Sequence, residues 1–485
     1  MHDVHWIANL VFLADWIIRI GLSVRVVMRR LPVGVSLAWL AIILIFPFGG
    51  AVLYLLLGEY RLGRRRMRHA AAFREADRTV RSKLRAADGV EPATLDSGSA
   101  ALARLAVSLL GAPPLGGNAL QLLENAAAAF PQLIADIDNA GQTCHLEFYI
   151  WSLGGQADDV AAALLRAVKR GVQCRVLVDA VGSKAFLKSK LARDLRQEGV
   201  RVAAGLPAGP LRLLISRPDL RLHRKIVVID GTVGYTGSLN LADPRLFKQD
   251  AGVGQWVDAF ARMRGPAVQA LADTFREDWE LETGESIEPA GPSEEAPAAP
   301  PAGKAIVQVL PTGPDANVDA IEQVVLMAVY AATREVVLTT PYFVPSEALL
   351  AALLSAAGRG VDVTLIVPAK VDSRLVHFAS RAYQADLLAA GVRIGLFTRG
   401  LLHTKSITVD GKFSLFGSLN LDPRSLRLDF EITLAVYDPA FTAALGRLQQ
   451  SYLSESEMLA LTACRARSAV ERFKEDAARL VGPIL

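Results

Sequence analysis

The sequence predicts an α/β protein in which two duplicated α/β/α sandwich domains follow an N-terminal transmembrane helical region. The phrase H-x-K-x4-D-x6-G-S-x-N occurs twice, beginning at His223 and at His403. Each copy follows the same order of apolar, strand-like segments and helix-like segments. Strands that alternate with helices, with glycine at the helix ends, are typical of an α/β sandwich with a largely parallel sheet. The chain is therefore predicted to be an internal duplication.

The modules before the two phrases match each other segment by segment. The first module has predicted strands at 146–151 and 172–178 around a helix at 160–169, and the second has strands at 336–340 and 361–367 around a helix at 349–357. The predicted domains are an anchor at 1–60, a basic juxtamembrane linker at 61–115, a first domain at 116–283, a Pro/Ala-rich linker at 284–304, a second domain at 305–450 and a helical tail at 451–485. We expect the tail to pack on the second domain, with insertion at a membrane surface as the alternative.

The N-terminus carries most of the excess apolar residues. Residues 36–57 form an uncharged run of 22 residues, which is long enough to cross a bilayer as one helix. Pro47 lies in this run, so a re-entrant hairpin is the alternative. Residues 4–24 are interrupted by Asp15 and Arg19, whose spacing lets them pair on one helix face. We therefore expect one or two transmembrane helices.

Basic residues next to the apolar runs predict the orientation. Residues 61–85 hold nine Arg and one Lys against two acidic residues, and such clusters stay on the cytoplasmic side. The two domains are then cytoplasmic. Arg25, Arg29 and Arg30 lie between the apolar runs and conflict with a hairpin in which both runs cross. The basic strip is either a topology signal or a binding site for anionic head groups, at about 1 kcal/mol per basic residue.

Composition narrows the range of partners. The chain has 485 residues, of which 52% are hydrophobic, and a net charge of only +4, which does not argue for nucleic acid. Cys144, Cys174 and Cys464 are scattered without metal-ligand spacing and are expected to be reduced core thiols. We expect no metal and no cofactor.

The repeated phrase itself points to phosphodiester chemistry. In an extended strand the His and Lys of H-x-K lie on one face, because side chains repeat every two residues. Imidazole transfers protons near neutral pH, while ammonium, hydroxyl and carboxamide groups donate to phosphate oxygens. A single H-x-K on a strand is commonplace. Two copies with identical spacing favour a functional role for these residues over coincidence.

The two phrases resemble the paired HKD signature of the phospholipase D superfamily, and within it the chain is similar to bacterial cardiolipin synthases. The likeness runs over nearly the whole chain. It includes the apolar N-terminus, Glu147-Phe-Tyr-Ile-Trp151, Asp243-Pro-Arg245, Phe247-Lys-Gln-Asp250 and Thr340-Pro-Tyr-Phe343. The resemblance implies phospholipase D-like domains that face each other across a pseudo-twofold axis, so that neither half is an active site alone.

The resemblance also implies a double displacement, in which one histidine attacks phosphorus and the other acts as acid and then as base. The expected catalytic residues are His223, Lys225, Asp230, His403, Lys405 and Asp410, with supporting roles for the two aspartates. The expected phosphate-binding residues are Ser238, Asn240, Ser418 and Asn420. Possible acidic partners of the histidines are Asp250 and Glu431. We expect His223 to be the nucleophile, because the cations Arg221, Arg224 and Lys225 surround it and disfavour its protonation.

The function implied is transfer of a phosphatidyl group from one phosphatidylglycerol to another through a phosphatidyl-histidine, giving cardiolipin and glycerol. The expected partners are phosphatidylglycerol, cardiolipin and an anionic membrane, with no nucleic acid, and the expected location is the bacterial inner (cytoplasmic) membrane. A hydrolytic phospholipase D, a phosphatidylserine synthase and a nuclease are the enzymatic alternatives. A nuclease would need a basic, aromatic-lined groove. A non-enzymatic membrane scaffold is the remaining alternative.

Overall fold

The computed structural model describes residues 2–29, 31, 33–59, 62, 66, 72, 88–207, 217, 219–287, 302–315 and 317–480. It divides the chain into two compact units, Met1–Met67 with Ala208–Leu220 and Arg68–Pro207 with Arg221–Leu485. Almost all of the predicted basic strip at 61–85, and most of the predicted linker at 284–304, lie outside the described residues.

The α-helices of the described residues are α1 (His2–Met28), α2 (Val33–Ile45), α3 (Pro47–Leu57), α4 (Ser97–Leu110), α5 (Ala126–Asp138), α6 (Gln156–Lys169), α7 (Lys184–Lys188), α8 (Lys190–Gln197), α9 (Ala267–Thr283), α10 (Ala320–Ala331), α11 (Glu347–Gly358), α12 (Arg374–Arg381), α13 (Gln384–Ala389), α14 (Pro423–Arg427), α15 (Pro439–Ser454), α16 (Leu461–Arg465) and α17 (Ala469–Leu480).

The strands of the described residues are β1 (Leu115–Leu123), β2 (Thr143–Phe148), β3 (Gln173–Asp179), β4 (Arg201–Gly205), β5 (Ile226–Ile229), β6 (Val233–Gly237), β7 (Trp256–Val257), β8 (Phe260–Arg264), β9 (Ala305–Thr312), β10 (Glu335–Thr339), β11 (Asp362–Pro368), β12 (Arg393–Phe397), β13 (Leu401–Leu402), β14 (Ser406–Val409), β15 (Phe413–Gly417), β16 (Glu431–Tyr437) and β17 (Ser456–Met458).

The smaller unit contains α1, α2 and α3. The apolar run at 36–57 was predicted as one helix, but α2 ends at Ile45 and α3 begins at Pro47. Proline has no N–H and its ring clashes with the carbonyl four residues earlier, so it interrupts a helix and is tolerated at the start of the next one. Among the described residues, no single helix combines the length and the apolar character needed to cross a bilayer.

Charged residues of the smaller unit are paired within it. The predicted pair forms, with Arg19 Nε 2.8 Å from Asp15 Oδ2. Arg25 and Arg29 both reach the carboxylate of Glu59, at 2.5 and 3.2 Å. Glu59 is buried, so these arginines balance a buried charge in the same unit.

The sheet of the larger unit carries the predicted duplication. Within the described residues, one 15-stranded sheet runs in the order β17-β12-β11-β10-β14-β15-β16-β9-β1-β8-β6-β5-β2-β3-β4. Without β17, the strands on either side of the β9–β1 pair follow the same order outward. The antiparallel β9–β1 pair therefore lies at an approximate twofold axis, as the resemblance implied.

The prediction that the sheet is largely parallel is wrong, because most neighbouring strands in both halves are antiparallel. The neighbours β2–β3–β4 and β10–β11–β12 are parallel, whereas the remaining neighbours are antiparallel. The reason lies in two tight hairpins, β5–β6 and β14–β15. Their turns hold Asp230-Gly231 and Asp410-Gly411, with φ of 51° and 62° in the first and 53° and 70° in the second. Asp-Gly suits such turns because both central residues need positive φ.

Helices cover both faces of the sheet in each half. In the first half α5 and α6 pack on one face, and α9 packs on the other. In the second half α4, α10 and α11 take one face, and α15 takes the other. The duplicated α/β/α sandwich predicted from the sequence is therefore confirmed.

The predicted helical tail at 451–485 is broken up. Helix α15 extends to Ser454, and the next residues form β17, which pairs with β12 at the edge of the sheet. Helices α16 and α17 follow. Helix α17 packs against α12 of the second half, as expected for a tail that contacts that domain.

Candidate active site

The two motif histidines lie at the junction between the halves. The sequence predicted both histidines to lie on strands, but His223 and His403 each precede the observed strand, β5 or β14, by three residues. The backbone N–H of His223 donates to the carbonyl of Phe430 (2.9 Å), and that of His403 donates to the carbonyl of Val257 (2.8 Å). Each histidine segment is therefore tied to the opposite half. Both imidazoles are almost completely buried, with His223 at 8% and His403 at 3% exposure.

Each histidine also bonds to a carboxylate from the opposite half. Nδ1 of His223 is 2.8 Å from Oε1 of Glu431, and Nδ1 of His403 is 2.6 Å from Oδ1 of Asp258. A carboxylate on Nδ1 fixes the tautomer in which Nδ1 carries the proton, which leaves Nε2 free to react. Each half thus supplies the carboxylate that orients the histidine of the other half.

The acidic partners correct one sequence-based expectation. Asp250 is exposed in a short 3-10 turn and does not take the place of a partner, whereas Asp258 does. Glu431 pairs with the histidine of the other motif copy. Asp258 and Glu431 occupy equivalent positions, two residues before Phe260 and Thr433, which pair with the glycines of the two G-S-x-N segments. An acid at the start of β16 and another two residues before β8 were the signal available in the sequence.

The two motif lysines are buried beside the histidines. The ammonium groups of Lys225 and Lys405 each donate to the backbone carbonyl of their own motif histidine, at 2.6 and 2.5 Å. Burial lowers the pKa of Lys225 to about 8 and that of Lys405 well below its ordinary value. An ammonium has three N–H groups, so two remain for a ligand.

The electrostatics show that the four motif side chains form one site. Burial is the main cause that lowers the pKa of His223, and the charges of both lysines lower it further. Burial also lowers the pKa of His403 to about 3. There the charge of Asp258 opposes burial, and both lysines again act in the same direction as burial. Each histidine therefore lies within the field of both ammonium groups.

Arg224 does not surround His223 in the way expected from the sequence. Its side chain points to the other face of the chain, where Nε donates to the backbone carbonyl of Glu431 (3.1 Å) and Nη2 to that of Thr312 (3.1 Å). Nη1 bonds to Asp278. Arg224 therefore connects the first motif to the strand that carries its acidic partner. The equivalent residue in the second motif is Thr404.

The motif serines are already engaged within the protein. Oγ of Ser238 donates to the carbonyl of Ala259 (3.2 Å), and Oγ of Ser418 donates to the carboxylate of Glu431. Ser238 also lowers the pKa of Asp258 through a hydrogen bond, after other causes. These hydroxyls hold the strands and acids of the site, and their contact with a phosphate stays a prediction.

The motif asparagines retain unused polar atoms. Oδ1 of Asn240 accepts from the N–H of Ile150 (3.2 Å), while its buried Nδ2 has no partner among the residues that the structure describes. Oδ1 of Asn420 is also buried without a partner in that part of the chain. Since buried polar groups are almost always paired, these amides are suited to a ligand.

The motif aspartates lie at the far end of each hairpin. Asp230 accepts three hydrogen bonds from the amides of residues 141–143, each of 2.8 Å. Asp410 accepts three from the amides of residues 333–335, at 2.8 to 2.9 Å. They tie each hairpin to the start of β2 or β10, which agrees with a supporting role.

Aromatic rings pack on both imidazoles. The ring of Tyr149 meets that of His223 edge-on at 5.0 Å, and the ring of Trp256 lies 4.3 Å from that of His403. Trp256 was not singled out from the sequence. No cluster of three or more His, Cys, Asp or Glu side chains that could hold a metal ion occurs among the described residues.

Comparisons with known proteins agree with this geometry. The family model described as "Cardiolipin synthase, PLD-like domain" matches residues 133–279 and 326–451. Cardiolipin synthase A of Salmonella arizonae and that of Salmonella paratyphi B are each 43% identical over 476 residues, which covers 98% of this chain and 98% of theirs. The chain belongs to the cardiolipin synthase family. Each matched segment of the family model contains one motif histidine and one of the two acids.

A solved structure supports the fold of this cardiolipin synthase family member. The crystal structure of phosphatidylserine synthase from Haemophilus influenzae Rd KW20 superposes with a TM-score of 0.60 at 16% identity, over 79% of this chain and 100% of that chain. At this identity the likeness concerns the fold alone.

Proposed function

We propose that the protein is a cardiolipin synthase, which transfers a phosphatidyl group from one phosphatidylglycerol to a hydroxyl of a second and releases glycerol. The observation that carries the proposal is that each half supplies the carboxylate that bonds to the histidine of the other half. The chain in which this occurs is 43% identical to cardiolipin synthases over nearly its full length. Two histidines are what a double displacement at phosphorus requires.

In the first step, Nε2 of His223 attacks phosphorus and the bond from phosphorus to the glycerol oxygen breaks. His403 donates its proton to that oxygen, so glycerol leaves neutral and a phosphatidyl-histidine forms. In the second step, His403 takes the proton from a glycerol hydroxyl of the second phosphatidylglycerol. That oxygen attacks phosphorus, the phosphorus–nitrogen bond breaks, and cardiolipin leaves with His223 restored.

The unequal carboxylates support this assignment of roles. Burial raises the pKa of Asp258, but the charge and hydrogen bond of His403 outweigh it and the net shift is downward. An ionised Asp258 stabilises the imidazolium of His403, which an acid needs. Burial raises the pKa of Glu431 to about 7, so its charge supports protonation of His223 less. A bound phosphodiester anion raises the pKa of both histidines through its opposite charge.

The cations and amides stabilise the charge that develops on phosphorus. Lys225 and Lys405 are buried at 0% and 2% exposure, and each has two N–H groups beyond its backbone contact. In a site that excludes water, such donors stabilise a transition-state charge far more than they would in solution. The unpaired Nδ2 of Asn240 adds a further donor.

We further propose that the protein works at the bacterial cytoplasmic membrane, anchored by its N-terminal apolar segments, with the catalytic unit on the cytoplasmic side. Large apolar side chains of α1 are exposed, including Trp6 at 59% and Phe12 at 65%. The uncharged run at 36–57 and the basic residues at 61–85 support the anchor and its orientation.

A product assay tests the proposed reaction. Purified full-length protein is given phosphatidylglycerol with a labelled head group in detergent. We expect glycerol and cardiolipin in equal amounts, because each transfer produces one of each, and we expect added glycerol to slow the net reaction. Phosphatidic acid as the main product would assign the protein to the hydrolases instead.

A further inference from the structure

Helix α17 exposes its apolar side. Val470, Phe473 and Leu480 are exposed at 63%, 73% and 79%. With the exposed Ala477 they occupy positions i, i+3, i+7 and i+10, which form one face of a helix. We call these four residues the apolar stripe. A helix on the surface of a soluble domain normally turns this face to the core.

Buried ion pairs fix the stripe in this outward direction. Glu475, on the opposite face of α17, is only 4% exposed and lies 2.9 Å from Arg381 and 3.2 Å from Arg467. Ala478 on the same face packs into a small core with Val344. Rotating α17 to cover Phe473 would expose Glu475 and leave two arginines without this carboxylate. Such a loss is costly when the groups are buried.

Contacts connect this region to the active site. The ring of Trp256, which packs on His403, lies 5.4 Å from the ammonium of Lys248. The same ammonium is 3.0 Å from the carboxylate of Asp372. Asp372 lies two residues before the start of α12, against which α17 packs. Side-chain contacts therefore run from the catalytic histidine to Asp372, which lies just before the helix against which α17 packs.

The chain between the site and the stripe also exposes apolar residues. Leu246 is exposed at 58%, next to the loop of Lys248, and Leu375 at 42% in the first turn of α12. Lys474 of α17 lies over the ring of Phe378 at 6.0 Å, so the two helices meet beside these residues. Leu246 and Leu375 thus add exposed apolar side chains to the segments next to Lys248 and α17.

The charged residues of α17 also fit a helix that lies on a membrane. The exposed charged residues of α17 are three cations, Arg472, Lys474 and Arg479, and one acid, Asp476, while Glu471 is half-exposed and lies 3.8 Å from Arg381. An apolar face with flanking cations is typical of a helix that lies in the interface of an anionic bilayer.

We propose that the apolar stripe, together with Leu246 and Leu375, is the surface by which the catalytic unit docks on an anionic bilayer. Docking there holds the catalytic unit against the head groups, where phosphatidylglycerol is available to the histidines without leaving the membrane. This inference rests on the proposed function, because it takes the substrate to be a membrane lipid.

Site-directed labelling tests the surface in the full-length protein. The three native cysteines are buried, so Phe473→Cys, Leu375→Cys and the control Tyr330→Cys can each carry one fluorescent label. Tyr330 is 49% exposed and precedes β10, at the end of that strand away from the site. In vesicles of phosphatidylglycerol and phosphatidylcholine whose acyl chains carry bromine, we expect quenching at 473 and 375 to exceed that at 330 by about twofold or more. Equal quenching at all three positions, or cross-links between two chains through position 473, would overturn the proposal.

An activity ratio provides a second, independent readout. Phosphatidylglycerol in vesicles is compared with a dispersed short-chain phosphatidylglycerol, using Phe473→Asp and the control Tyr330→Asp. We expect Phe473→Asp to lower the ratio of vesicle rate to short-chain rate by about tenfold, since an acid opposes insertion, and Tyr330→Asp to leave it unchanged. An unchanged ratio in both variants would contradict the docking surface. Quenching at 473 in a protein that makes no cardiolipin would instead contradict the proposed function.

Discussion

The two halves of the catalytic unit place equivalent histidines in unequal surroundings. His223 bonds to Glu431, whose pKa is raised to about 7 by burial, and His403 bonds to Asp258, whose net pKa shift is downward. The backbone contacts of the two histidines are the same. The difference therefore lies in the charge of the acidic partner, which means that a symmetric fold can give its two copies distinct chemical roles.

The halves also differ in the side chain that follows each motif histidine. In the first half Arg224 joins Asp278 to the carbonyl of Glu431 in a buried ionic cluster. In the second half Thr404 takes the equivalent place and shares a hydrogen bond with Tyr452 (3.0 Å). Charge supports one motif, and neutral hydrogen bonds support the other. The duplication thus preserved the backbone of the two motifs, while the side chains that support them differ in charge.

The largest expected effect separates the two histidines. Both His223→Ala and His403→Ala should lower cardiolipin formation by about 10³-fold or more, because each removes a group that acts directly on the reaction. With a phosphatidyl ester of a good leaving group, the first step needs no acid. His403→Ala should then accumulate protein carrying the phosphatidyl group, and His223→Ala should not. Mass spectrometry of the intact protein checks this, and labelling of His223→Ala alone would reverse the roles.

The next largest effect compares the two carboxylates. Asp258→Asn should lower kcat by about 10²–10³-fold, because the amide no longer stabilises the imidazolium and can favour the wrong tautomer. Glu431→Gln should cost only about 10-fold, because its carboxyl is already partly protonated near neutral pH. Steady-state rates at pH 7 measure both. Asp250→Asn is the control, and we expect its rate within about twofold of the parent. Equal losses for the two acids would remove the basis for unequal roles.

The residue between the motif His and Lys should contribute more to stability in the first half than in the second. Arg224→Met removes a buried cation from Asp278, and breaking such a pair costs about 3–5 kcal/mol. Thr404→Val removes the hydrogen bonds to Tyr452 and to the carbonyl of Val257 (3.3 Å), at about 1 kcal/mol each. Thermal unfolding of the full-length proteins in the same detergent should therefore show a larger fall in Tm for Arg224→Met. A fall of similar size in both variants would mean that the ionic cluster adds little.

Much of this fold could be predicted because its signals are local. The matching modules and both H-K-D sets follow from short periodic segments, so their strands and helices were found within a few residues. The hairpins were missed, although Asp230-Gly231 and Asp410-Gly411 are strong turn signals, because the aspartates were interpreted only as motif members. The break at Pro47 also has a local signal, because proline interrupts a helix and is tolerated at the start of the next one.

A local pattern can mark an acid after each G-S-x-N segment, but it cannot assign the histidine with which each acid pairs. Asp258 lies 145 residues from His403 along the chain, and Glu431 lies 208 residues from His223. Their pairing depends on backbone bridges between the halves, such as β13 with β7, which no single segment encodes. Side-chain direction was accessible, because side chains alternate along an extended segment and Arg224, which follows His223, is then expected on the opposite face, where the structure places it.

The smallest expected effect is a difference in how stability depends on pH. The pKa of Glu431 in the folded protein, about 7, is above its ordinary value, so the folded state holds this proton more tightly than the unfolded state does. The resulting stability is complete below the ordinary pKa and is lost as pH rises through 7. Gln stays neutral throughout, so the Tm of Glu431→Gln relative to the parent should rise between pH 5 and pH 8, by a few degrees.

Asp258→Asn provides the matched comparison for this pH series. The pKa of Asp258 is shifted downward in the folded protein, so its contribution is present above its ordinary pKa and is lost only in more acidic solution. The Tm of Asp258→Asn relative to the parent should therefore stay constant between pH 5 and pH 8. Parallel curves for the two variants would show that the carboxyls titrate alike, and the electrostatic distinction between the halves would then be lost even if their rates differ.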